Sequence, residues 1–226
     1  MRSDTAPSGH TSNREVYRAV FLQHVHRLLQ LGYEALEPSR FTYSEEDDIS
    51  GELRRKMQYL TEDAPTEAWM RLFAVHDQDP VNDVLDETTQ QPRRGKRRPK
   101  LDFRLVTKRC NPNPRFCVEA KRLYRSDSPS KYIDDEGLGA FLGEYYAVGD
   151  DTAGMLGYVQ SDSVAIWLPK LRDKLMKEET TLSISSDNCL VVSRFRNGPL
   201  HTYKTRHQRL KSRRPIDIFH TFFIFC

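Results

Sequence analysis

From Glu15 onward, Val16, Val20, Phe21, Val25, Leu28 and Leu29 recur at the three- and four-residue spacing of a helix, and Gly32 is the expected C-cap. A second helix is predicted from Ser44 to Leu60, with Ile49, Leu53, Met57 and Leu60 on its apolar face. Ser44 is its expected N-cap. Acids at 45–48 crowd its first turn and Arg54, Arg55 and Lys56 come later, in the sense the helix dipole favours. Three short apolar stretches follow and predict strands: Trp69–His76, Leu101–Thr107 and Phe116–Leu123. A charged linker over 77–100 and the turn Asn111-Pro112-Asn113-Pro114 separate them, so an antiparallel meander is the economical arrangement.

The rest of the chain alternates. A helix is predicted over Lys131–Val148, a buried strand over Ala153–Gln160, and a helix over Ser161–Lys177 that Pro169 is expected to break or kink. Strands Cys189–Phe195 and Ile216–Phe225 close it. Residues 1–13, rich in Ser, Thr, Gly and Pro, read as a flexible tail, and 14–226 as a single α/β domain with a mixed sheet.

Composition narrows this little, but charge changes the picture. At 226 residues and 38% hydrophobic content the chain can bury a sizeable core. No apolar run approaches the roughly 20 residues of a membrane span. Nor does MRSDTAPSGHTSNRE contain the apolar stretch of a secretory signal, so a soluble cytoplasmic protein is expected. Cys110, Cys117, Cys189 and Cys226 form no CxxC pair and read as structural thiols. The net charge of +3 conceals an asymmetry: residues 1–92 carry 9 Lys+Arg against 17 Asp+Glu, and 93–226 carry 26 against 15. Two runs concentrate the positive charge, Arg93-Arg94-Gly95-Lys96-Arg97-Arg98-Pro99-Lys100 and Lys204–Arg214. Such clustering is the electrostatic footprint of a phosphate-backbone partner.

Three groups carry the candidate chemistry. Glu119 and Lys121, two apart on one predicted strand, project from the same face with Cys117, while Phe116, Val118 and Ala120 form the other. Asp102, on the neighbouring predicted strand, reaches the same place. Two acids and an ammonium converging on one strand face are costly without a purpose. A divalent cation held by hard oxygen ligands supplies one, and phosphodiester hydrolysis is the reaction such a group serves best. Glu119-Ala120-Lys121 is the one acid-x-Lys in the chain, and it lies inside an otherwise apolar strand.

This constellation resembles the PD-(D/E)XK nuclease superfamily. The match covers about 42–160, with 161–226 as a C-terminal α/β extension; the family's Pro directly before Asp is absent, and Pro99 stands three residues upstream of Asp102. The resemblance implies a restriction-endonuclease-like core: helix, three-strand meander, helix, strand, in a mixed central sheet flanked by helices. It implies that Asp102, Glu119 and the carbonyl of Ala120 ligate Mg²⁺, with Mn²⁺ able to substitute, and that Lys121 handles the water or the phosphate. Many members add an acid from the first core helix. Glu46, three residues before Ile49 and so on its side of the helix, is favoured, with Glu45, Asp48 and Glu52 as alternatives.

The expected activity is a Mg²⁺-dependent nuclease, an endonuclease acting on DNA with RNA as the alternative, in the setting of restriction or anti-phage defence. Arg93, Arg94, Lys96, Arg97, Arg98 and Lys100, with Arg206, His207, Arg209, Lys211, Arg213 and Arg214, are the expected backbone contacts. Rival readings are a catalytically idle nucleic-acid-binding or interaction module on the same fold, and a nuclease active only as a homodimer or with a partner protein of a defence system. No Walker sequence, GxGxxG or GxSxG occurs, so nucleotide hydrolysis, dinucleotide binding and α/β-hydrolase chemistry lack support.

Overall fold

The computed structural model describes residues 13–77, 100–108, 113–184, 187 and 189–226. The expected tail before residue 13, most of the first basic run and half of the Asn-Pro turn lie outside the described residues.

Helix α1 (Asn13–Glu34) and helix α2 (Glu46–Glu62) pack against each other, and strands β1 (Phe73–Asp77), β2 (Phe103–Thr107) and β3 (Arg115–Leu123) follow. The three strands form the antiparallel meander, paired from Phe73 opposite Thr107 and from Phe103 opposite Val118. Two short helices, α3 (Ser128–Ile133) and α4 (Leu138–Leu142), lead to β4 (Thr152–Val159). This strand lies parallel to β3, with Val118 opposite Gly154 and Leu123 opposite Val159. Helix α5 (Val164–Lys177), a two-residue strand β5 (Val191–Val192), β6 (Thr202–Gln208) and β7 (Pro215–Ile224) complete one seven-stranded mixed sheet in the order β1-β2-β3-β4-β7-β6-β5. β4 is buried along its whole length, as expected of a strand covered on both faces.

Strand alternation divides the core in two. Phe116, Val118 and Ala120 join Ile49, Leu53, Met57 and the buried face of α1 on one side of the sheet. Cys117 and Leu123 join Tyr132, Phe141, Trp167 and Leu171 on the other. No helix among the described residues is long and apolar enough to cross a membrane.

Several expectations are corrected. Gly32 does not cap α1, which continues to Glu34; a Cβ there would sit 2.6 Å from Met57 Cγ, so glycine serves the close approach of α1 to α2. Ser44 does not cap α2, whose N-cap position is Glu45, and its hydroxyl instead faces the Arg40 carbonyl at 3.5 Å. Trp69 lies in a 3-10 turn (Ala68–Leu72) ahead of β1. The predicted helix 131–148 is two short helices separated by a turn over 134–137, and at Gly137 a Cβ would lie 2.5 Å from the Tyr132 carbonyl oxygen. Helix α5 runs through Pro169 without a break. The predicted strand 189–195 shrinks to Val191–Val192, and β6 falls where a basic run alone was expected.

Candidate metal centre

β2 ends its pairing with β3 at Phe103 opposite Val118, so the remainder of β3 has an edge that β2 does not cover. Backbone amides two residues apart leave a strand on the same edge. Here the Ala120 amide donates to Asp102 Oδ2 at 2.7 Å and the Arg122 amide donates to Glu46 Oε2 at 3.1 Å. Two carboxylates thus take the places of missing strand partners. Asp102 comes from the bend just before β2 rather than from the strand itself, and Glu46 is the first residue of α2.

Glu119 and Lys121 project together from β3. Lys121 Nζ stands 2.7 Å from Glu119 Oε1 and 3.0 Å from Glu46 Oε1. Carboxylate oxygens of Glu46, Asp102 and Glu119 all lie within 4.8 Å of one another. Glu119 is 5% exposed, and its Oε2 is buried with no hydrogen-bond partner among the described residues. Of the alternative acids, Glu45 pairs with Arg122 and Glu52 with Arg55, while Asp48 is exposed.

Burial, and then the Glu46 charge, push the Asp102 carboxyl up to about 7, against the opposing pull of the Ala120 amide, Lys121 and the Ser50 hydroxyl. Burial first and the Asp102 charge second raise Glu119 well above the usual carboxylate range. Burial pulls Lys121 down, but Glu119 and Glu46 outweigh it and hold the ammonium above the ordinary lysine range. The cluster is short of positive charge, and its one ammonium is shared between two acids.

Side chains not anticipated from the sequence brace this group. Ser50, one turn along α2 from Glu46, meets the Tyr158 hydroxyl at 2.9 Å beneath the site. The Tyr146 hydroxyl donates to the Lys100 carbonyl at 2.8 Å and so fixes the chain two residues ahead of Asp102. Such contacts depend on tertiary approach and leave no local pattern in the chain.

The expected nucleic-acid contacts separate into surface and interior. Arg93, Arg94, Lys96, Arg97 and Arg98 lie outside the described residues. Lys100, Arg206, Lys211, Arg213 and Arg214 are exposed. His207 is not available to a phosphate: it is 1% exposed, with Nδ1 on the Leu182 carbonyl and Nε2 on the Thr205 hydroxyl, both at 2.7 Å. Arg209 is likewise interior, 2% exposed, its guanidinium donating to the carbonyls of Phe141, Ala147 and Asp150 at 2.7–2.8 Å. A cation with that many buried acceptors serves the loop it crosses, not a ligand.

No protein-family model, curated protein or solved structure matches the chain.

Proposed function

We propose that the chain is a Mg²⁺-dependent nuclease with a restriction-endonuclease-like core, hydrolysing phosphodiester bonds in DNA. The convergence of Glu46, Asp102 and Glu119 within 4.8 Å, beside a lysine on the strand face that carries Glu119, is the observation that supports it. The antiparallel meander β1–β3, the α3–α4 connection and a β4 parallel to β3 support the core part of this reading, which rests on the resemblance.

The donor set fits a hard divalent cation. All side-chain donors are carboxylate oxygens, which favour Mg²⁺ or Mn²⁺ over softer metals. Glu119 Oε2 is a buried acceptor with no described partner, a cost that a cation would remove. Glu46, Asp102 and Glu119 would hold the ion, and the Ala120 carbonyl leaves the strand on the same edge as the amide that Asp102 accepts. When bound, the ion would activate water and offset charge building up on the phosphate.

The chain's own groups supply the rest. Lys121 uses two of its three N–H donors on Glu119 and Glu46, leaving the third to orient a water or a phosphate oxygen. Exposed Arg206, Lys211, Arg213 and Arg214 offer backbone contacts that are salt-sensitive and blind to sequence.

The test is incubation of wild-type and Asp102→Ala protein with supercoiled plasmid, linear duplex, single-stranded DNA and structured RNA, each in Mg²⁺, Mn²⁺ and EDTA. Metal-dependent cleavage of DNA that Asp102→Ala lacks is expected. Wild-type binding that survives EDTA, with no cleavage under any condition, would replace this reading with a nucleic-acid-binding module.

A further inference from the structure

We propose that Gln160 is a positioning residue that sets the affinity of the metal centre by fixing where Glu46 enters it, an inference that rests on the metal-site reading above.

Glu46 has the hardest path to the cluster. Its helix packs in the core shared with Phe116, Val118 and Ala120, whereas Glu119 and Lys121 project from the face that carries Cys117. The Glu46 carboxylate must therefore come around the uncovered edge of β3, and its position depends on where α2 begins. Helices usually fix their start with an N-cap side chain. This one has none: no side-chain cap bond forms at Glu45.

The start of α2 is held from outside instead. Gln160 Nε2 donates to the carbonyls of Phe41 at 2.7 Å and Ser44 at 2.9 Å, the latter two residues before Glu46. Gln160 is 6% exposed and directly follows β4, and its own amide donates to the Leu123 carbonyl at 3.1 Å. One residue thus connects the end of the strand bearing Glu119 and Lys121 to the segment that delivers the third carboxylate. Arg122 Nη1 adds a second donor to the Ser44 carbonyl at 3.0 Å.

The chemistry of the clamp gives a sharp test. Both partners are carbonyls, so position 160 must donate. Gln160→Glu keeps the shape but turns the donor into an acceptor, and Gln160→Met keeps the length without polarity. Residues that orient metal ligands typically alter affinity by about 10- to 100-fold when removed.

Mn²⁺ binding to the full chain is measured by electron paramagnetic resonance, with Mg²⁺ as competitor, alongside thermal melting. Both variants are expected to raise the Mn²⁺ dissociation constant about 10-fold, with cleavage largely restored at saturating metal. In a Glu46→Gln background neither should change it further, because Gln160 acts through Glu46. Unchanged affinity in the single variants, an equal effect in the Glu46→Gln background, or unfolding of both variants would overturn the inference while wild type still binds metal. Wild-type protein that holds no Mn²⁺ would overturn the metal-site reading and this inference together.

Discussion

Asp102 Oδ2 accepts the Ala120 amide at 2.7 Å, so a side chain continues the strand ladder where β2 stops. The carboxylate has a structural bond and an electrostatic burden at once, since burial and the Glu46 charge both disfavour its ionised form. Asp102→Asn separates the two. The amide oxygen still accepts from Ala120, while one of three crowded negative charges disappears. Metal binding and cleavage should be lost, and the metal-free protein should gain about 1–3 kcal/mol of stability. Paired urea denaturation of wild type and Asp102→Asn in EDTA checks this, and a loss of stability would contradict it.

Lys121 carries the complementary burden. Its ammonium is the described cation closest to Glu119 and also serves Glu46. Lys121→Met leaves buried carboxylates without a counter-charge and should cost about 3 kcal/mol at pH 8. Adding Glu119→Gln should restore much of that loss without restoring cleavage. Equal stability of the single and double variants would argue that the pair is not coupled.

Helix α2 and the meander were legible because apolar residues mark their faces: Ile49, Leu53 and Met57 at helical spacing, Phe116, Val118 and Ala120 by alternation. Strand β6 was not legible, and its burial explains why. Its interior positions are Thr202, Thr205 and His207, polar residues satisfied by hydrogen bonds inside the sheet, so no hydrophobic alternation marks the strand. The same polarity made Lys204–Arg214 read as one basic run of phosphate contacts. At the site, the juxtaposition of Asp102, Glu119 and Lys121 followed from strand pairing. The bracing by Tyr146, Ser50 and Gln160 joins segments far apart in the chain, and no local pattern specifies those partners, although Gln160 stands out by its place directly after a core strand.

The division of that basic run has consequences for binding. Arg209 spans the carbonyls of Phe141, Ala147 and Asp150 in a loop where Glu144 and Ala147 adopt positive φ of 61° and 52°. Arg209→Met should therefore destabilise the fold by about 3 kcal/mol or more, because several buried acceptors lose their donor. Lys211→Ala and Arg213→Ala, at exposed positions of the β6–β7 turn, should barely change stability. Each should instead lower the salt dependence of DNA binding by about one unit of log K against log salt. Fluorescence anisotropy across a salt series reads the slope. A slope unmoved by both surface substitutions would remove this turn from the DNA path.

Three histidines make the fold sensitive to acid. Tyr132 donates to His220 Nδ1 at 3.1 Å, and His220 Nε2 donates to the Thr205 hydroxyl at 2.7 Å. Thr205 donates on to His207 Nε2, and His207 Nδ1 donates to the Leu182 carbonyl. That carbonyl can only accept, so with both rings kept neutral by burial the proton order is set along the whole chain. Burial pushes His207 down to about 4 and His220 to about 3. Burial also takes His26, stacked on Phe195 at 3.7 Å, down to about 4. Each is therefore protonated in the unfolded chain at a pH where the folded chain keeps it neutral. The stabilisation is complete above about pH 6.5 and is lost as pH falls towards 4, at about 1.4 kcal/mol per pH unit for each ring. Asp102 and Glu119 offset part of this, since their raised values favour protonation in the folded state. A difference measurement isolates one ring. His26 Nε2 has no hydrogen-bond partner among the described residues, so His26→Phe loses only the Nδ1 bond to the Leu22 carbonyl and keeps the aromatic stack. Urea denaturation at steps from pH 7 to 5 should show His26→Phe losing less stability than wild type, by about 1.4 kcal/mol per pH unit below 6. Parallel pH profiles for the two proteins would mean that His26 is not buried neutral.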